Sequence, residues 1–89
     1  MRTQQIKVLG KVQGVYFRAS AKQKAMNLGI HGFIKNQQDG SVVLEIEGDE
    51  DAVNNMVNWC KQGPALARVS NIEVKNEAAR NFVSFDIKK

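Results

Sequence analysis

The stretch from Gln5 to Gly29, QIKVLGKVQGVYFRASAKQKAMNLG, changes its hydrophobic period part-way along. In the first half Ile6, Val8 and Val12 alternate with Gln5, Lys7 and Lys11, the period of two expected of a strand with one buried face. After Gly14, the residues Phe17, Ala21, Ala25 and Leu28 recur at helical spacing, and Gly29 can close the helix in the left-handed conformation. A strand thus feeds directly into a helix over roughly 17–28, and the rest of the chain can be placed outward from that junction.

Downstream, a short segment from Ile30 to Lys35 meets Asn36-Gln37-Gln38-Asp39-Gly40, whose Asp-Gly pair marks a hairpin. The run that follows places Val42, Leu44 and Ile46 on one face, with Glu45 and Glu47 facing out. Acidic Asp49, Glu50 and Asp51 then suit a helix N-terminus, and Val53, Met56, Val57 and Cys60 follow at i, i+3, i+4 and i+7. Gly63-Pro64 stops this second helix, and a loop runs through Ala67. Ile72 and Val74, then Val83, Phe85 and Ile87, make two last alternating runs, separated by the polar stretch Asn76 to Asn81. The order is β-α-β-β-α-β plus a short C-terminal strand. Right-handed split crossovers around a central hairpin make this an α+β ferredoxin-like two-layer sandwich, an antiparallel sheet with two helices on one face.

A length of 89 residues suits a single domain spanning 1–89, and 43% hydrophobic with 25% charged residues is the composition of an ordinary globular chain. One cysteine, Cys60, excludes an internal disulfide, and with the lone His31 it leaves almost nothing from which to build a zinc centre, so no metal and no cofactor are expected. No continuous apolar run reaches the length of a signal peptide or membrane span, which makes no membrane partner and a cytoplasmic location the expectation. The net charge of +4 biases the surface toward anions, but the basic residues are scattered singly and most are ordinary solvated charges.

That fold hosts unrelated functions, so chemistry must be read from particular residues. Gly10-Lys11-Val12-Gln13-Gly14-Val15-Tyr16-Phe17-Arg18 occupies the strand-to-helix junction, where unpaired N–H groups and the positive end of the helix dipole converge. Gly14 lets the backbone turn closely around an anion, and the planar fork of Arg18 can take two phosphate oxygens at once. A Walker-type loop does not match, because Gly10-Lys11 is not followed by Ser or Thr. Taken alone, a Gly turn with one Arg can equally be ordinary structure, and Asn36 ahead of Asp39-Gly40 can equally be a turn residue.

The full strings carry more. Gly-x-Val-Gln-Gly-Val-x-Phe-Arg over 10–18 resembles the first signature of the acylphosphatases. His31-Gly32-Phe33-Ile34-Lys35-Asn36-Gln37-Gln38-Asp39-Gly40-Ser41-Val42 resembles the second, and the likeness extends through Gly63-Pro64 to Phe82-x-x-Phe85-x-Ile87. The resemblance implies a ferredoxin-like fold, consistent with the element order above. It further implies an enzyme that hydrolyses the carboxyl–phosphate bond of acyl phosphates without a cofactor. Catalysis would rest on Arg18 and Asn36: the phosphate is held by Arg18 and the backbone amides of Gly14, Val15, Tyr16, Phe17 and Arg18, and Asn36 orients the attacking water. Inorganic phosphate would be both product and competitive inhibitor, a substrate phosphate oxygen would receive the water's proton, and a monomer is expected. Lys35 stands where the family more often has arginine, a change that could shift substrate preference slightly, and Val43 where many relatives carry a polar side chain.

Other residues need no chemistry. His31 is expected to be structural or on the surface, Cys60 a packed core thiol, and Tyr16 a lining residue at the mouth of the site. Two alternatives from other classes are a phosphate- or acyl phosphate-binding module without catalysis and an RNA-binding ferredoxin-like module. Arg80-Asn81-Phe82-Val83-Ser84-Phe85 faintly echoes a basic-aromatic recognition strand, but such a motif belongs on the third strand, which here reads Val42-Val43-Leu44-Glu45-Ile46-Glu47. No nucleic-acid partner is therefore expected.

Overall fold

Alternation at the start of the chain becomes strand β1 (Arg2–Lys11) in the computed structural model, which describes residues 1–89. It is followed by helix α1 (Phe17–Leu28), strands β2 (His31–Asn36) and β3 (Val42–Gly48), helix α2 (Glu50–Cys60), and strands β4 (Arg68–Asn76) and β5 (Phe85–Lys88). The five strands form one sheet in the order β4-β1-β3-β2-β5. The first four pair antiparallel, as the ferredoxin-like reading requires. No helix is long and apolar enough to cross a membrane.

Both helices lie on one face. Ile6, Val8, Ile34, Leu44 and Ile46 project from the sheet onto Phe17, Ala21 and Ala25 of α1 and Val53, Met56 and Cys60 of α2, all of them buried. The small Ala21 and Ala25 let α1 approach the strands closely, and each large side chain buried here contributes roughly 1.5–3 kcal/mol. Gly29 ends α1 at φ 72°: its N–H donates to Met26 O at 3.3 Å, and the Ile30 N–H to Ala25 O at 2.8 Å. That pair of bonds is a Schellman closure, with buried Ile30 as its hydrophobic contact. At α2, Asp49 is the N-cap but makes no side-chain capping bond, so the first-turn acids Glu50 and Asp51 act through the helix dipole and through the 2.8 Å ion pair of Glu50 with Arg2.

Two features differ from the sequence-based expectation. First, the sheet is mixed, because β5 runs parallel to β2. The chain leaves β4 beside the start of β1, crosses the open face at that end of the sheet and rejoins it beside the start of β2, so it can only run upward along that edge. The strand is also shorter than the alternating run suggested, with Val83 outside it and exposed. Second, Glu45 and Glu47 face away from the helices as expected, yet both are buried. The crossing segment 77–84 covers them: Glu47 accepts from the Arg80 and Phe82 N–H groups at 2.8 and 2.9 Å and from Thr3 Oγ1 at 2.6 Å, and Arg80 Nη1 lies 2.6 Å from Glu45 Oε1.

A register shift between Leu9 and Gly10 breaks the β1–β4 ladder immediately before the strand-to-helix junction. Gly10 has φ 126°, and a Cβ there would run into the carbonyl of Arg68. The unpaired residue of the resulting bulge is Ser70 of β4, and the close approach of the β4 backbone leaves room only for glycine at position 10, near the end of the ladder, where the strand stops at Lys11.

Candidate active site

The junction after β1 builds one wall of a cavity of about 390 Å³ lined by Val12, Gly14, Tyr16, Phe17, Arg18, Ala19, Asn36 and Ile87. Phe17, the first residue of α1, turns into the core, 2% exposed, with its ring 5.3 Å from that of Trp59. Its neighbour Arg18 lies about 100° further round the helix and is thereby directed outward. On the opposite wall, Asn36 falls two residues after the buried Ile34 of β2 and so projects from the helix-bearing face of the sheet, toward α1. β5 completes the enclosure: its parallel course carries Ile87 to this end of the sheet.

Backbone geometry at the junction leaves donors free. Gly14 and Tyr16 both have positive φ, at 73° and 64°, and the first helical bond is Ser20 N–H to Tyr16 O at 3.0 Å. The N–H groups from Gly14 to Ala19 therefore have no backbone acceptor, at the end of the helix where the dipole is positive. A Cβ on Gly14 would meet nothing within 4 Å, so this residue borders open space. Arg18 forms no ion pair; its one protein partner is Lys88 O, at a long 3.5 Å, which leaves most of the guanidinium's donors unused. No carboxylate or imidazole lines the cavity.

The expected residues thus converge, with distinctions. Arg18 and Asn36, from different elements, share the cavity, and Tyr16, 75% exposed, stands at its mouth. Val15 is not among the lining residues, and its side chain is buried in the core. Lys35 lies on the opposite face of the sheet from Asn36, with its ammonium 6.0 Å from the Phe33 ring, and does not line the cavity. His31 is exposed, its Nδ1 3.1 Å from Phe82 O, and Cys60 is fully buried, with its thiol pKa pushed up to about 12 by that burial. Val12, Ala19 and Ile87 line the site without having been singled out from sequence; they are apolar residues whose placement depends on the loop's path and on which edge β5 joins.

A family model for acylphosphatases matches residues 4–87 of the chain. The chain belongs to the acylphosphatase family. It is 45% identical over 88 residues to the acylphosphatase of Methylococcus capsulatus, covering 98% of this chain and 96% of that one. Its identity to the acylphosphatase of Thermococcus kodakarensis is 43% over 82 residues, with 92% and 90% covered. The crystal structure of the acylphosphatase from Bacillus subtilis superposes over the whole of both chains with a TM-score of 0.97 at 32% identity. Acylphosphatase membership makes the protein a hydrolase.

The alternative of an RNA-binding sheet face finds its aromatic stretch already engaged. Phe82 packs edge-on against Phe33 at 5.9 Å, and Arg80 lies 5.1 Å from the Phe82 ring while paired with Glu45. These residues cover the open face of the sheet and leave no stacking platform on it.

Proposed function

We propose that this cavity hydrolyses acyl phosphates to a carboxylate and inorganic phosphate by in-line attack of a water molecule, with Arg18 and Asn36 as the two working side chains. The observation that carries the reading is that a guanidinium without a counter-ion, a row of unpaired N–H groups and the side-chain amide of Asn36 border one small space. The phosphoryl group sits against the N–H groups of the 14–18 loop and in the fork of Arg18, which stabilise the charge on its equatorial oxygens as the bond breaks. Asn36 holds the water, its carbonyl accepting one hydrogen and its NH₂ free to donate to an oxygen. The leaving group is a carboxylate whose conjugate acid has a pKa of roughly 4, so it departs unprotonated and requires no general acid. The water's proton passes to a phosphate oxygen. In this reading the protein acts as a monomer.

The test is hydrolysis of an aromatic acyl phosphate followed by absorbance. Arg18→Gln is expected to lose about 10²-fold or more in kcat/KM, and Asn36→Ala a comparable factor in kcat. Full activity in either variant refutes that residue's assignment. Inorganic phosphate is expected to compete with substrate and EDTA to leave the rate unchanged; a chelator-sensitive rate would point to a different mechanism.

A further inference from the structure

Gln13 lies immediately before the phosphate loop and does not line the cavity, yet it spans the two halves of the site. Its Nε2 donates to Gln37 O and to Ser41 O, each at 2.8 Å. Those carbonyls belong to the β2–β3 turn that begins directly after Asn36. The turn is itself braced: Gln37 N–H donates to Ser41 O at 2.9 Å and Gly40 N–H to Gln37 O at 3.1 Å. Ser41 Oγ lies 2.6 Å from Asp39 Oδ1, and Lys7 pairs with the other oxygen of Asp39 at 3.1 Å.

The sheet order makes this bridge consequential. β1, which leads into the loop, and β2, which ends in Asn36, are not hydrogen-bonded neighbours, because β3 lies between them. The loop and Asn36 are therefore connected through the ladder only at second hand. The Gln13 amide closes that gap over the start of β3 and uses both of its hydrogens to do so. Resting on the reading that Arg18 and the loop hold phosphate while Asn36 holds water, we propose that Gln13 is a positioning residue that fixes the separation between the two. A shift of the turn relative to the loop displaces the water from the axis of the breaking P–O bond. It leaves the phosphate contacts, which all lie on the loop side, intact. Gln13 thus acts on the rate of the chemical step and not on phosphate affinity.

Gln13→Met keeps the length of the side chain and removes both donors. Its kcat is expected to fall about 10- to 100-fold, the loss that a misplacement near 1 Å produces. KM and the inhibition constant of inorganic phosphate should change by less than about threefold. The decisive step is a double-mutant cycle: in an Asn36→Ala background, Gln13→Met should cost less than about threefold further in kcat, because the group it positions is gone. Denaturant midpoints of all variants establish that each is folded. If Gln13→Met does not fold, Gln13→Asn, which keeps the donors one methylene short, carries the same expectation. Multiplicative losses in the cycle, or a phosphate constant that rises in step with the fall in kcat, overturn the proposal. A fully active Asn36→Ala sinks the underlying reading and this inference with it, whereas an impaired Asn36→Ala with multiplicative losses sinks the inference alone.

Discussion

Tyr16 adopts φ 64° and ψ 23° at the start of α1, a left-handed conformation that costs a residue with a Cβ about 1–2 kcal/mol. Its exposed ring stands at the mouth of the cavity that Arg18, Asn36 and Ile87 also line. An acyl group pointing out of the site would lie against this apolar rim. Tyr16→Gly removes the ring and relieves the strain together, so the fold should tolerate it. The ratio of kcat/KM for an aromatic acyl phosphate over acetyl phosphate is expected to fall about three- to tenfold, as loss of partial apolar contact implies; an unchanged ratio would mean that the ring does not touch the acyl group. Residues at this scale differed in how legible they were. Arg18 could be anticipated from its own neighbourhood, since a Gly turn, a helix start and a guanidinium are all local. Asn36 could not, because by composition it was one polar residue in a turn, and only its resemblance to a family signature distinguished it. Gln13 stood in the quoted motif with no function attached: its partners are backbone carbonyls, which no side-chain pattern reveals.

Among the elements, the segment 77–84 carries more than its polar, loop-like sequence indicated. It crosses the face of the sheet that the helices leave open, from the β4 edge to the β5 edge, and is held there by two buried carboxylates, Glu45 and Glu47. Glu47, 4% exposed, has its pKa lowered to about 2, chiefly by the Thr3 hydroxyl and also by the backbone N–H groups of Arg80, Phe82 and Asn81. Asp39 is likewise lowered to about 2, by the hydroxyl and N–H of Ser41 and by Lys7. Both values lie below those of the unfolded chain. The stability these groups lend is therefore full above the ordinary value of 4.5 for Glu47, and is lost as the pH falls from there through about 2. Glu47→Gln places an NH₂ group among these donors and should cost about 1–3 kcal/mol at neutral pH. It should also flatten the acid limb of the stability curve measured by urea unfolding between pH 5 and 2. An acid limb identical to the parent's would show that Glu47 does not anchor the crossing. Period-two alternation correctly assigned Glu45 and Glu47 to the face opposite the helices. It could not indicate what covers that face, nor that β5 would add parallel at the far edge, since both depend on the path of the crossing.

The molecule as a whole joins site and core through α1, whose first residue, Phe17, is buried against Trp59 while the next, Arg18, borders the cavity. Cys60, on the inner face of α2 in the same core, offers a reporter of how far the two are coupled. Burial raises its thiol to about 12, so the folded protein presents almost no thiolate at pH 8. A thiol reagent must then wait for an opening that exposes Cys60, and when reclosing is fast the labelling rate measures the free energy of that opening. If the opening is global it dismantles the phosphate loop as well, and any ligand of the loop must oppose it. Inorganic phosphate at ten times its dissociation constant is then expected to slow labelling about tenfold, following the factor 1 + [L]/Kd. If Cys60 is instead exposed by fraying of α2 alone, with α1 and the loop intact, phosphate leaves the rate unchanged. The shared core of Phe17, Ala21, Met56 and Cys60 favours the first outcome, because α2 cannot leave the sheet without uncovering the start of α1.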